Sequence, residues 1–243
     1  MLLRSSAPPV STRGPVQPRR CPRCSSTVDA VQPSESAAAA PFASWLQAAT
    51  LRCGRALSVS VADESDCQLL TAVLAESLAT QLGAEKLRLY LQHTQVAPYV
   101  RARVTPCATD EELLARGVLL KACFEDGTLA AVCELSAPAE KEETEGWGAR
   151  TLAPPVGSAL LSNVTVVGEH RRKGVATALL RAALEAAALL AHESDVYLQA
   201  RAADEVAGQL YTKLGFLSVD EHSLWEGLLR GRRPRLRLMR LVR

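Results

Sequence analysis

Arg171-Arg172-Lys173-Gly174-Val175-Ala176-Thr177 gathers three cations and a glycine where an apolar run gives way to a long Ala/Leu segment. Positive charge beside a residue without a Cβ suits an anion, because a phosphate can come close to a glycine's backbone. The run before it, Ala159 to Val167, is β-branched at Val164, Thr165, Val166 and Val167, which predicts a strand. The segment after it puts Ala176, Leu179, Leu180, Ala183, Leu184 and Ala187 on one face of a helix. A strand that turns into a helix in this way aims the free N–H groups of the first helical turn, and the positive end of the dipole, at whatever sits in the turn. The chemistry implied is the binding of a phosphate or pyrophosphate.

The turn is not a P-loop, since Gly174 is followed by Val175 and Lys173 precedes the glycine. It lacks the spaced glycines of a dinucleotide fingerprint as well. A second motif lies downstream. Asp195 to Ala200 reads as a strand, and Asp204 to Phe216 reads as a short helix with Tyr211 inside it, closing in a turn at Gly215. Arg171-x-x-Gly174-x-Ala176 resembles the acetyl-CoA loop of the GNAT acetyltransferase superfamily. Asp204-x-x-Ala207-x-x-Leu210-Tyr211-x-x-x-Gly215-Phe216 resembles that family's Asn-x-x-Ala-x-x-Leu-Tyr-x-x-x-Gly-Phe signature. The two occur in the family's order over Gly157 to Asp220.

The resemblance implies an α+β (α/β) fold with a mixed, mostly antiparallel central sheet, a splayed strand pair, and helices on both faces. It implies an acetyl-CoA-dependent N-acetyltransferase working by direct transfer in a ternary complex. By the same resemblance, main-chain groups of Val164, Thr165 and Val166 pair with the pantetheine arm. Arg172, Lys173, Gly174, Val175, Ala176 and Thr177 cradle the pyrophosphate, with Arg171 adding charge. Asp204, Glu205 and Val206 border the pantetheine, and Tyr211 protonates the departing thiolate. Two positions depart from the pattern. Asp204 stands where the family has Asn, and so lacks amide donors. Leu160 stands where some members carry a glutamate base, so deprotonation must use another group, an ordered water or an amine whose pKa the site lowers. Glu134, expected on the solvent side of its strand, and His170, expected in an exposed turn, are the candidate groups. The motif set is similar to that of plastid enzymes of plants and algae that acetylate protein N-termini and lysines. A small-amine (arylalkylamine or polyamine) acetyltransferase and a non-catalytic acyl-CoA-binding module are the alternatives.

The elements that position these residues are read from the rest of the chain. Pro41 to Leu51 suggests a short helix and Cys53 to Val61 a first strand. Asp63 or Ser65 caps a helix from about Asp66 to Leu82, with Leu70, Val73, Leu74 and Leu78 on its apolar face and Leu69 at the edge. Residues 87–105 carry no clear period, and Asp110-Glu111-Glu112 opens another helix. Leu119 to Phe124 and Leu129 to Leu135 form a hairpin about Glu125-Asp126-Gly127. Residues 137–157 read as a loop, and Arg235 to Arg243 alternates like an edge strand whose arginines block aggregation.

Residues 1–40 contain five arginines, many hydroxyls and prolines, and only Asp29 and Glu35 as acids. That is the composition of an organelle transit peptide, for a plastid or alternatively a mitochondrion, with an ordinary tail as the other reading. Setting it aside leaves 23 basic against 24 acidic residues in 41–243, the predicted acetyltransferase domain, and a net charge of −1. The basicity thus belongs to the leader and does not point to nucleic acid. No apolar stretch reaches the roughly 20 residues that span a bilayer. Of seven cysteines, Cys21 and Cys24 form a lone CxxC, short of a four-ligand zinc site, and the others read as small core residues. No metal is expected. The expected partner is a protein or peptide amine, with the chain a monomer or weak homodimer.

Overall fold

Leu119 and Leu120 are neighbours in one apolar run, and both are fully buried. Successive side chains of a strand point to opposite faces, so both faces of their sheet must be covered. The computed structural model describes residues 42–51, 53–81, 83, 85–137, 152–190, 195–222 and 235–242, and it has this arrangement. Eight strands form one sheet: β1 (Leu46–Thr50), β2 (Ala56–Val61), β3 (Val118–Phe124), β4 (Leu129–Ser136), β5 (Ala159–Val166), β6 (Val196–Arg201), β7 (Phe216–Glu221) and β8 (Leu236–Leu241). Their order is β1-β2-β3-β4-β5-β6-β8-β7. Every neighbouring pair is antiparallel except β5 and β6, which are parallel.

Helix α5 (Val175–Leu190) covers one face, burying Leu179, Leu180, Ala183 and Ala187 against Leu120, Cys133 and Leu161. On the other face lie α1 (Cys67–Gln81) and α3 (Ala97–Val104). Leu70, Leu74, Val100 and Val104 meet Leu119 and Val132 there. Asp63 caps the entry to α1, accepting from the Ser65 N–H at 2.8 Å while the Asp66 carboxylate accepts from the Asp63 N–H at 2.9 Å. Leu69 is 49% exposed, at the edge of that face. The stretch without a clear period is helical: α2 (Arg88–Leu91) runs through a π turn, Gln92–Val96, into α3. A π turn shifts the helical phase, which removes a steady 3.6-residue period. Helices α4 (Asp110–Arg116) and α6 (Glu205–Lys213) complete the fold.

Three expectations need correction. Leu46 to Thr50 is a strand paired with β2 (Leu46 opposite Ser60), so tertiary pairing overrides the helical preference of an alanine-rich segment. The arginine-rich strand β8 is interior, between β6 and β7. Its charges meet acids: Glu221 accepts from Arg235 and Arg237 at 2.8 Å each, and Arg240 pairs with Asp195 at 2.9 Å. Cys133 is buried as expected, but Cys53 is exposed and Cys67, Cys107 and Cys123 are half-buried. The leader, the CxxC pair and most of the 137–157 loop lie outside the described residues. No described helix is long and apolar enough to cross a membrane.

Candidate active site

Strands β5 and β6 pair only from Ala159 opposite Val196 to Leu161 opposite Leu198. Beyond that point they separate, although β5 continues to Val166 and β6 to Arg201. A bulge accompanies the separation. Glu134 opposes Ser162 and Val132 opposes Thr165, so two residues, Asn163 and Val164, face Cys133 alone. Asn163 has φ 52°, a left-handed conformation that asparagine tolerates better than most residues. Such a bulge bends and twists its strand.

After the bulge, the Val167 N–H donates to the Ala130 carbonyl at 3.0 Å. Alternation then directs the backbone of Thr165 toward β4 and that of Val164 and Val166 toward the splay. The Val166 carbonyl accepts from Arg171 Nε at 3.1 Å on that side. Of the three strand residues expected to offer main-chain groups to a ligand, Val164 and Val166 turn theirs toward the splay. Thr165 instead buries its side chain on the α1 face, where its hydroxyl donates to Ser77 Oγ at 3.3 Å.

The strand-to-helix turn follows a short 3-10 turn, Gly168–His170. Arg172 has φ 63° and Gly174 φ 86°. A Cβ on Gly174 would meet nothing within 4 Å, so glycine is required here by backbone conformation and not by crowding. The Ala178 N–H donates to the Gly174 carbonyl at 3.1 Å, the first bond of α5. The N–H groups of Val175, Ala176 and Thr177 therefore have no partner within the helix. Arg171, Arg172 and Lys173 are all exposed around them. The open space and free N–H groups fit a pyrophosphate. His170 is not exposed, as its turn suggested. It is 8% accessible and packs edge-on to Phe124 of β3, ring centres 4.9 Å apart, two strands from β5.

Tyr211 of α6 is buried and lies edge-on to Phe216, centroids 6.5 Å apart. Burial pushes its phenol up to about 12. The Asp204 carboxylate and then Cys133 add to this, and Arg201 opposes it. Asp204 caps α6, accepting from the Ala207 N–H at 3.0 Å, and pairs with Arg201 at 3.5 Å. Its acceptor capacity is partly spent on that cap. Glu205 and Val206 are exposed. With Asp204, Arg201, Ala202, Ala203, Arg235 and Gln81 they line a cavity of about 650 Å³, within the usual range for small-molecule sites.

Gln81 also borders a second cavity of about 220 Å³, lined by Leu74, Ser77 and Leu78 of α1, by Gln95, Val96 and Tyr99, and by Asn163 and Thr165 of β5. All of these side chains are neutral. Glu134 lies behind that wall and is 5% exposed, contrary to a solvent-facing position. Its Oε1 accepts from Arg103 Nε at 2.5 Å. Oε2 accepts from Tyr99 Oη, from Ser162 Oγ at 2.8 Å and from Asn163 Nδ2 at 2.9 Å. Both of its oxygens are thus engaged, one by an arginine and the other by three further donors. Sequence reasoning missed Tyr99, Arg103 and Asn163. The first two sit beyond the π turn, and only an asparagine in an otherwise strand-like segment, just ahead of its β-branched residues, hinted at the bulge.

Residues 84–216, more than half of the chain, match the model of the Acetyltransferase (GNAT) family. Over 89 residues the chain is 33% identical to GCN5-related N-acetyltransferase 5, chloroplastic, of Arabidopsis thaliana, covering 37% of this chain and 28% of that protein. Over 57 residues it is 39% identical to an N-alpha-acetyltransferase of Sulfurisphaera tokodaii, covering 24% of this chain and 34% of that one. The matched parts thus span only about a third of these relatives. An uncharacterized protein of Bacillus halodurans shares the fold with a TM-score of 0.53 at 12% identity, over 78% of this chain and 85% of its own. The PaiA N-acetyltransferase of Thermoplasma acidophilum, solved with coenzyme A, gives a TM-score of 0.48 at 17% identity, over 75% and 97%. The family match covers both the basic turn and the whole of the Tyr211 helix, and the chain belongs to the Acetyltransferase (GNAT) family.

Proposed function

We propose that this enzyme acetylates the α-amine of protein or peptide N-termini, with acetyl-CoA as donor and direct transfer in a ternary complex. The observation that carries the reading is the neutral wall of the 220 Å³ cavity, whose neighbouring carboxylate, Glu134, is already saturated with donors. An acceptor amine must be neutral to react. An α-amine, with an ordinary pKa of about 7.7–8.0, is roughly half neutral near pH 8. A lysine, at about 10.4, is less than about 1% neutral there and needs a base or strong desolvation. A polyamine carries several charges that a neutral wall leaves uncompensated.

On the donor side, acetyl-CoA supplies the activated acetyl group. Val175, Ala176 and Thr177 offer N–H groups to its pyrophosphate, and Gly174 admits it. Arg171, Arg172 and Lys173 add charge. Val164 and Val166 offer main-chain groups along the splay, with Asp204, Glu205 and Val206 at its far side. Tyr211 donates its proton to the leaving sulfur. Its raised pKa keeps the phenol protonated until negative charge builds beside it, and the same burial raises the affinity of the thiolate for that proton.

The composition of residues 1–40, together with the similarity to a protein named as chloroplastic, supports import into a plastid. The test is quantitative mass spectrometry of protein N-termini and lysines in bacteria expressing the full chain, with Tyr211→Phe as control. New α-acetylation well above lysine acetylation is expected. Lysine acetylation alone would overturn the acceptor assignment. Absence of both, with no turnover of small amines, would favour an acyl-CoA-binding module.

A further inference from the structure

Glu134 is the one buried carboxylate among the described residues, and its donors come from two separate elements. Tyr99 and Arg103 reach it from α3, Ser162 and Asn163 from the bulge of β5. Asn163 Nδ2 also donates to Tyr99 Oη at 2.7 Å, so the two groups of donors are tied to each other as well as to the carboxylate. The Arg103 guanidinium lies 3.7 Å from the centre of the Tyr99 ring, which fixes that ring from behind. Even the neighbouring backbone is fitted to the cluster. Gly117 has φ 89°, and a Cβ there would lie 2.7 Å from Glu134 Oε1 and 3.3 Å from Arg103 Nε.

The two elements joined in this way have different tasks. Tyr99 walls the 220 Å³ cavity assigned to the acceptor. Asn163 is the left-handed residue of the bulge, just ahead of Val164 and Val166, whose main-chain groups face the splay. We propose that the Glu134 cluster is a latch between the two substrates' sites, with Asn163 and Tyr99 as positioning residues. The Asn163 amide holds the bulge in register, and that register aims the strand's N–H groups at the acetyl carbonyl. Tyr99 transmits the same constraint to the acceptor wall. The latch rests on acetyl-CoA lying against β5 and holds whichever amine is the acceptor.

A cluster that served stability alone would lower the melting temperature when broken and leave the bound donor unchanged, so the test reads the donor directly. Asn163→Gly keeps a residue that accepts φ 52° and removes only the amide. In the full-length chain, the carbonyl stretch of bound acetyl-CoA labelled with ¹³C at the acetyl carbonyl is recorded by difference infrared spectroscopy, alongside acetyl-CoA affinity and kcat. The latch predicts a band shifted toward its free frequency, a Kd within about threefold of wild type, and kcat lower by about tenfold. Tyr99→Phe gives a smaller loss in the same direction. The double variant falls well short of the product of the two losses, since both break one network. An unshifted band with kcat within twofold, or fully multiplicative losses, overturns the proposal. If no amine is turned over, the infrared band and the affinity still decide the latch, separately from the acceptor assignment.

Discussion

The proposed donor and acceptor sides of this cleft are built in opposite ways. The donor side is contiguous: Arg171 reaches back five positions to the Val166 carbonyl, and the N–H groups beside it belong to consecutive residues. The acceptor side is assembled across the chain, with Tyr99 meeting Glu134 over 35 positions and Thr165 meeting Ser77 over 88. The proposed pyrophosphate cradle needs only a local motif. The acceptor depends on how distant segments pack, and that packing can be altered without touching the motif.

The comparison is tested most severely at Tyr211, which we propose serves the chemistry and neither binding surface. Tyr211→Phe should lower kcat by about 100-fold or more while acetyl-CoA affinity stays within twofold, measured by steady-state kinetics and calorimetry. A weakened affinity at unchanged kcat would move Tyr211 to the binding half. Gly174→Ala probes the donor side alone. Its left-handed φ costs a non-glycine residue about 1–2 kcal/mol, so acetyl-CoA should bind about 5- to 30-fold more weakly, with kcat at saturation preserved.

Gly117→Ala probes the acceptor side. Strain at φ 89° and the clash with Glu134 should destabilise the fold by about 1–3 kcal/mol in denaturant unfolding, with little change in acetyl-CoA affinity of the folded fraction. The smallest effect is in pH. A phenol pushed up to about 12 stays protonated below that value, so Tyr211 loses its proton only at higher pH. The rate should rise as the acceptor α-amine deprotonates between about pH 7 and 8.5 and show no fall from Tyr211 up to about pH 10. An alkaline decline with an apparent pKa near 9 would show that burial does not hold the phenol as described.

What could be read from the sequence follows the same division. Gly174 with its flanking cations, and Tyr211 four residues before Gly215, are local patterns, and their strands and helices stand within a few residues of expectation. The capped helix α1 and the β3–β4 hairpin were legible for the same reason. Glu134 and His170 were placed on the wrong side of the surface because burial there depends on α3 and β3, elements far off in sequence. The interior position of β8 was equally hidden. Its alternating arginines suit an exposed edge until Glu221 of β7 and Asp195 are brought beside them. Leu46 to Thr50 shows propensity losing to pairing, since only β2 makes that segment a strand.

The central claim, a neutral acceptor site selecting an amine that needs little deprotonation, meets its most direct test in a single peptide carrying both a free α-amine and an internal lysine. The purified full-length chain is given that peptide and acetyl-CoA at pH 8, and the modified nitrogen is located by fragment mass spectrometry during initial turnover. Acetylation at the N-terminus, at least about tenfold faster than at the lysine, is the predicted result. Equal or faster modification of the lysine would contradict it and would require a base that the described side chains of the cavity do not supply.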